Sequence, residues 1–385
     1  MAKVVVSKKK TLSPIAKDSV GEVASRVSES VSRGTEDAGA RLARARAVMA
    51  KINGEYKTSK ITMASSMALV DRVETGWLSF DVVTGGGFPR QRASQVKGPE
   101  HSGKTTILLD TAAKVQREGG IAVWVNGEEF DKNWAARRGV DCDQLVLIPF
   151  ADGTTMMEQM VRMLEVADFC AIDSVQTIKT ARALDTDIGE TGYGSGGPQM
   201  WGDVNGKVNY QFVKGGSNAA LVWVSQMRTK VATGWAPPNA DKDEGTQIKS
   251  LAHWKSLDVR FRPGGHLRVE EKNTEFDPYG RKIALKCEKN KVGPRPFREA
   301  EFSYIYGDGG PPLVPLHSVD RGEEIVSLAR HYDFIQNSGA HYHYKGQKLA
   351  VGLDNLHDFF RDFSNDKVYD KLRAEILHLA RTTTL

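Results

Sequence analysis

Between Thr75 and Tyr306, short β-branched and apolar runs alternate with segments whose apolar positions recur every three or four residues. The runs read as strands at Ser94–Lys97, Ile121–Asn126, Leu145–Ile148, Phe169–Asp173, Ala219–Ser225 and Leu257–Phe261, with a later antiparallel pair at His266–Glu271 and Lys282–Glu288. Helical spacing fills the early gaps: Lys104–Arg117 closed by Gly119-Gly120, Asp131–Arg138 closed by Gly139, and Thr154–Val166. Strand and helix in alternation predict an α/β fold, a doubly wound and mostly parallel sheet. Two gaps break the rhythm. Asp185–Asp203 and Met227–Gly245 are long, weakly apolar and contain Gly or Pro, and loops of that length inside a compact domain are usually functional or disordered.

The flanks follow different patterns. Residues 1–33, rich in Ser, Val and Lys without a steady period, read as a flexible basic arm. In residues 34–72, Glu36 and Asp37 precede Leu42, Ala45, Val48, Met49 and Ile52 at helical spacing, which predicts an amphipathic helix and a linker. The core is expected over 73–310. From about Pro311 a small α+β domain (311–385) is expected, with a helix near Gly322–His331, a hairpin at Ala340–Leu349 and a terminal helix near Asp366–Ala380.

Charge sharpens this division. Residues 1–60 carry 13 of the 53 Lys+Arg and 6 of the 48 Asp+Glu, so the formal net charge of +5 is an N-terminal property over a slightly acidic remainder. Such an arm suits nucleic acid or an acidic protein surface. The hydrophobic content of 40% excludes whole-chain disorder, and no apolar run approaches a membrane span or a signal peptide's apolar region. A cytoplasmic protein with no membrane partner is expected. Three widely spaced cysteines, Cys142, Cys170 and Cys287, suggest neither a disulfide framework nor a zinc site.

The chemistry concentrates at Gly98-Pro99-Glu100-His101-Ser102-Gly103-Lys104-Thr105, which matches G-x-x-x-x-G-K-[ST] between a predicted strand and a predicted helix. In such a loop the backbone amides and the helix N-terminus cradle phosphates, Lys104 reaches the β- and γ-phosphates, and Thr105 ligates Mg²⁺. ATP and Mg²⁺ are therefore the expected cofactors. Asp173 ends an apolar strand, as a carboxylate near the metal would. Glu128 or Glu129, at the next strand end, could activate the attacking water, with Glu128 preferred. Gln226 closes another apolar strand and could contact a γ-phosphate oxygen without adding charge.

In this order the pieces resemble the RecA-type recombinases over roughly Ala43 to Leu379. Thr75-Gly76-Trp77-Leu78-Ser79-Phe80-Asp81 with Gly85-Gly86-Gly87-Phe88-Pro89, the phosphate loop through Thr106, Gly139-Val140-Asp141, Ile172-Asp173-Ser174-Val175 and Gln226-Met227-Arg228-Thr229-Lys230 carry the likeness. So do Lys289-Asn290-Lys291 with Pro296-Phe297, Tyr304-Ile305-Tyr306-Gly307-Asp308-Gly309, and Ser338-Gly339-Ala340-His341-Tyr342-His343-Tyr344-Lys345-Gly346.

The resemblance implies a P-loop ATPase core whose Glu128 is the water-activating base and whose Gln226 senses the γ-phosphate at the head of a DNA-binding loop. Asp131 and Trp134 match positions that contact and stack on adenine, although Trp134 also fits an ordinary helix core. Lys289 and Lys291 would reach a nucleotide held mainly by a neighbouring subunit. Arg228, Lys230 and Lys249 would meet DNA phosphates while Val231 wedges between stacked bases. Asp185–Asp203 would be a first DNA loop, with Lys207 and Lys214 near it and Trp201 where a cation is common. Pro237-Pro238, the acids Asp241, Asp243 and Glu244, and a terminus without an acidic tail depart from the pattern, as in a divergent or virus-encoded relative. The implied function is a DNA-dependent ATPase forming homo-oligomeric helical filaments on single-stranded DNA, with ATP between subunits, that pairs it with homologous duplex DNA and exchanges strands in recombination and repair. A ring-shaped helicase of the same core fold, or an ATP-driven switch that never meets DNA, remains an alternative.

Overall fold

The computed structural model describes residues 39–56, 61–66, 70–187, 196–229, 243–245, 249–269, 278–293 and 298–382. Its contacts divide the chain into Met1–Leu69 and Val70–Leu385. In the first unit, helix α1 covers 39–55, and the Asn53 side chain bonds both to the Ile61 N–H (2.7 Å) and to its carbonyl (2.8 Å). The basic arm expected over 1–33 lies outside the described residues.

The second unit is built on β1 (Arg72–Val73), β2 (Phe88–Pro89), β3 (Arg92–Gly98), β4 (Ala122–Asn126), β5 (Val146–Ile148), β6 (Phe169–Asp173), β7 (Ala220–Thr229), β8 (Asp243–Gly245), β9 (Leu257–Leu267), β10 (Gly280–Asn290), β11 (Glu299–Ile305) and β12 (Ser318–Val319). The main sheet runs β12-β11-β10-β9-β3-β7-β6-β4-β5. It is parallel from β9 through β3 to β5 and antiparallel from β9 to β12. Alternation assigns its two faces. Phe169 and Ala171 join one apolar layer with Ile107 and Leu108 of α3 (Lys104–Arg117), while Cys170 and Ile172 face Met156 and Met160 of α5 (Gly153–Met163).

Three expectations are corrected. Leu257–Phe261 and His266 belong to one strand, β9, whose irregular register against β10 absorbs Pro263-Gly264-Gly265, and the strand stops at Leu267. The gap Asp185–Asp203 closes at Gly196, whose left-handed φ of 76° precedes a helix over Gly197–Val213, with Pro198 in its first turn. Met227–Thr229 continue β7 and pair antiparallel with β8, so both ends of the second gap form a ladder; 230–242 lie outside the described residues.

That long helix is α7, after α4 (Lys132–Arg137) and α6 (Ala181–Leu184); α8 (Lys249–Trp254) follows β8. A helix absent from the sequence reading, α2 (Leu78–Thr84), is buried at all seven positions. Its Leu78 and Val82 share an apolar cluster with α9 (Arg321–His331), α10 (Leu353–Arg361) and α11 (Asp366–Thr382), which accompany a three-stranded antiparallel sheet, β13 (Ile335–Ser338), β14 (His341–Tyr344) and β15 (Gln347–Val351).

Candidate nucleotide site

The phosphate loop follows directly from β3 and ends where α3 begins. Glycine is required at both ends. A Cβ on Gly98 would stand 2.5 Å from the Phe261 carbonyl oxygen, and Gly103 turns at φ 92°. Ser102 Oγ donates to the Pro99 carbonyl at 2.8 Å, and Lys104 Nζ donates to the same oxygen at 2.5 Å. Burial holds the Lys104 pKa below lysine's ordinary value, against the pull of Asp173, Glu128 and Glu100. An ammonium so desolvated gains most from an anion brought to it.

Thr105 and Asp173 meet at the mouth of the loop, the hydroxyl donating to Asp173 Oδ2 at 2.6 Å. Burial pushes the Asp173 carboxyl up to about 6, with the Thr105 bond opposing, Glu128 adding and Lys104 opposing. The described residues contain no group of three His, Cys, Asp or Glu able to hold a metal alone. This donor set fits Mg²⁺, which takes one or two protein oxygens and completes its shell from phosphate and water.

A cavity of about 190 Å³ opens beside this pair, lined by Thr105, Asn126, Glu128, Glu129, Asp131, Trp134 and Asp173 among others. The Glu128 N–H donates to the Asp173 carbonyl at 2.8 Å; Glu128 is half-buried and Glu129 exposed. Asn126, missed in the sequence, has its buried Oδ1 without a partner among the described residues. Gln226 stands beside the loop because Gly98 pairs with it in the β3–β7 ladder.

A second cavity, of about 420 Å³, adjoins His101, Gly103 and Thr106 and shares Trp134 with the first. Asp131 caps α4 by accepting from the Trp134 N–H at 2.9 Å. Trp134 meets His317 edge to face at 5.1 Å, and Arg138, paired with Asp110, lies over Trp134 and Tyr304 at 5.8 and 5.7 Å. Arg281 closes the wall by donating to the His101 carbonyl at 3.1 Å. These aromatic faces suit a nucleobase. Tyr304 and Tyr306, two positions apart where β11 ends, were the signal available in the sequence, whereas His317 gave none.

Other expected residues lie apart. Lys289 and Lys291 donate to the Ala252 and His253 carbonyls at the end of α8, at 3.2 and 3.5 Å. Asn290 pairs with Leu257, which pairs with Ser94, roughly 13 Å along the strand from Gly98 at about 3.3 Å per residue. One chain does not bring this pair to its own Lys104. Burial, then Lys291 and Lys255, lowers the Lys289 pKa. Lys207 lines the groove of about 560 Å³ between α5 and α7, where its ammonium meets Glu158 at 2.5 Å; no phosphate-loop residue lines that groove. Arg228 lies in β7 and Lys249 opens α8, while Lys230 and Val231 fall outside the described residues.

The sequence profile of the RecA N-terminal domain matches residues 42–310, more than half of the chain. The chain belongs to the RecA family. The profile of the RecA C-terminal domain matches 323–381 as well. Similar curated proteins include Protein RecA of Kineococcus radiotolerans, 31% identical over 314 residues that cover 80% of this chain and 82% of that one. Protein RecA of Nostoc punctiforme is 33% identical over 293 residues (74% of each), and that of Leptospira meyeri 28% over 331 residues (85% and 79%). Membership makes the chain an ATP hydrolase of DNA recombination and repair. Among the described residues no helix is long and apolar enough to cross a membrane.

Proposed function

We propose that the chain binds Mg·ATP at Gly98–Thr106, polymerises as a helical filament on single-stranded DNA, and promotes homologous pairing and strand exchange. The observation that carries this reading is the β3–β7 register: Gly98 of the phosphate loop lies beside Gln226, whose strand runs on through Arg228 into the ladder with β8. A change felt by Gln226 at the γ-phosphate therefore reaches the DNA-facing hairpin through one strand.

In this reading Lys104 neutralises the β/γ charge, Thr105 and Asp173 hold the metal, and Glu128 accepts the proton of the attacking water. When bound, Mg²⁺ supplies charge neutralisation at the phosphates. Trp134 stacks on the base, with Asp131 fixing its helix. Lys289 and Lys291 act on the nucleotide of an adjacent subunit, since their own lies too far along the strand, and there replace an arginine finger. Arg228, Lys230 and Lys249 hold phosphates without reading bases, and Val231 spaces the strand.

Negative-stain imaging of the full chain with single-stranded DNA and a non-hydrolysable ATP analogue tests the proposal. Helical filaments are expected. Closed rings would favour a helicase, and single particles a switch that does not assemble on DNA.

A further inference from the structure

Beneath these strand ends lies a charged cluster that the chemistry above does not use. Lys97 Nζ stands 3.0 Å from Asp258 Oδ2 and 2.5 Å from Glu288 Oε2. Lys255 Nζ reaches the same Asp258 oxygen at 2.5 Å and also meets Gln95 Oε1. Gln95 in turn donates through Nε2 to Ser225 Oγ at 2.7 Å. Lys97, Lys255, Asp258, Gln95 and Ser225 are all buried, and Asp258 Oδ1 has no hydrogen-bond partner among the described residues.

Such a cluster is a poor source of stability, because desolvation offsets the attraction between buried charges and apolar side chains of similar volume do as well. What it supplies is geometry. Lys97 immediately precedes Gly98, Ser225 precedes Gln226, and Glu288 precedes Lys289. Lys255 follows α8, whose last carbonyls receive Lys289 and Lys291. The β9–β10 ladder is irregular between Cys287 and Lys289 and resumes with Lys289 opposite Asp258, so the strand bends and re-aims its side chains at the step that separates Glu288 from the lysine pair.

We propose that the buried network of Lys97, Asp258, Lys255, Glu288, Gln95 and Ser225 is a positioning device. It ties the strand ends carrying Gly98, Gln226 and Lys289 into one unit, so that the nucleotide site of one subunit and the lysine pair offered to its neighbour move together. This rests on the proposed roles of Gln226, Lys289 and Lys291. Its members are positioning residues that touch no substrate. Hydrolysis along a filament is then cooperative, since engagement of Lys289 on one nucleotide shifts Gly98 and Gln226 at the next.

The test compares Lys97→Met/Glu288→Gln, which removes the central link without changing net charge, with Lys97→Arg, which retains a cation there. Full-length proteins are assayed for ATP binding without DNA, for thermal midpoint, and for hydrolysis against ATP concentration with single-stranded DNA. In the double variant, binding and midpoint are expected to stay near wild type, while DNA-stimulated kcat falls about ten- to a hundredfold and the ATP dependence loses its sigmoidal shape. Lys97→Arg should recover both. Wild-type kcat and sigmoidicity in a folded double variant overturn the inference. If that variant does not fold, Ser225→Ala removes one neutral bond from the same network and must weaken the sigmoidal response at an unchanged midpoint; an unaltered curve overturns the inference equally. The variant Lys289→Ala/Lys291→Ala separates the two levels. Full DNA-stimulated hydrolysis in it removes the proposed roles of Lys289 and Lys291 and the inference together, whereas its inactivity beside a fully active Lys97→Met/Glu288→Gln removes the inference alone.

Discussion

Glu324 of α9 offers a measurement in which burial and charge oppose each other. It is buried, and its Oε1 accepts from the Ser79 N–H at 2.6 Å, serving the N-terminus of α2, where Trp77 supplies no side-chain cap. A helix N-terminus favours a carboxylate. Burial nevertheless dominates, raising the Glu324 carboxyl from 4.5 to about 7 against the bonds from Ser79, with the negative charge of Asp81 adding to the rise. Folded Glu324 thus holds its proton where the unfolded chain has released it. The stability it contributes is present below about pH 4.5 and is lost as pH rises towards and through 7. At about 1.4 kcal/mol per pKa unit the loss approaches about 3 kcal/mol above pH 8 and is nearly nil at pH 4.

Glu324→Gln keeps an oxygen for the Ser79 N–H and removes the titration. Its thermal midpoint, followed by circular dichroism without nucleotide or DNA, should equal wild type near pH 4 and exceed it by roughly 4 °C at pH 8.5. A variant less stable than wild type at pH 8.5 refutes the reasoning, because the ionised carboxylate would then contribute more as a cap than its burial costs.

The site itself yields further expectations. Lys104→Ala leaves the phosphate charge uncompensated and should cut ATP hydrolysis by at least about a hundredfold in a steady-state assay; near-normal turnover would remove the phosphate-loop assignment. Glu128→Gln should bind ATP yet hydrolyse it slowly and remain on DNA, because an amide cannot take the water's proton; the same behaviour in Glu129→Gln instead would transfer the role to its neighbour. Mixing Glu128→Gln with Lys289→Ala/Lys291→Ala should restore ATPase activity above the sum of the two alone, and no recovery in co-assembled mixtures argues that each site is complete within one chain. Deleting residues 1–33, with Lys3, Lys8, Lys9 and Lys10, should reduce the salt slope of single-stranded DNA binding by about 0.7 for each phosphate the arm no longer neutralises, and equal slopes give the arm another purpose.

Much of the architecture was legible because it is written in short-range periodicity. β6 ran over Phe169–Asp173 and α3 over Lys104–Arg117 as the spacing predicted, and the phosphate loop fell between strand and helix. Other elements escaped, among them β11, α8 and α10, and for three features the physical reason is plain. Helix α2 is buried at all seven positions, polar Ser79, Asp81 and Thr84 included, so its polar residues mark no solvent face from which to read a period. Pro263-Gly264-Gly265 looked like a break, yet β9 carries it through an irregular ladder with β10. Gly197, Gly202 and Gly206 diluted the helical signal of α7, whose Trp201, Val204 and Val208 are buried.

By itself, then, the sequence determined the α/β order, the phosphate loop and the candidate acids, since each depends on residues a few positions apart. Only the tertiary structure decided which strand ends became neighbours. Gly98 lies 128 positions before Gln226 yet pairs with it, and Lys97 finds Glu288 far along the chain, because a parallel sheet is ordered by crossover connections rather than by sequence proximity. The same ordering put Lys289 and Lys291 towards the opposite end of the strands from Lys104, gathered Trp134, Tyr304 and His317 around one cavity, and buried a charged network beneath the site. Long-range pairing fixes such neighbours through burial and register, and neither has a local signature.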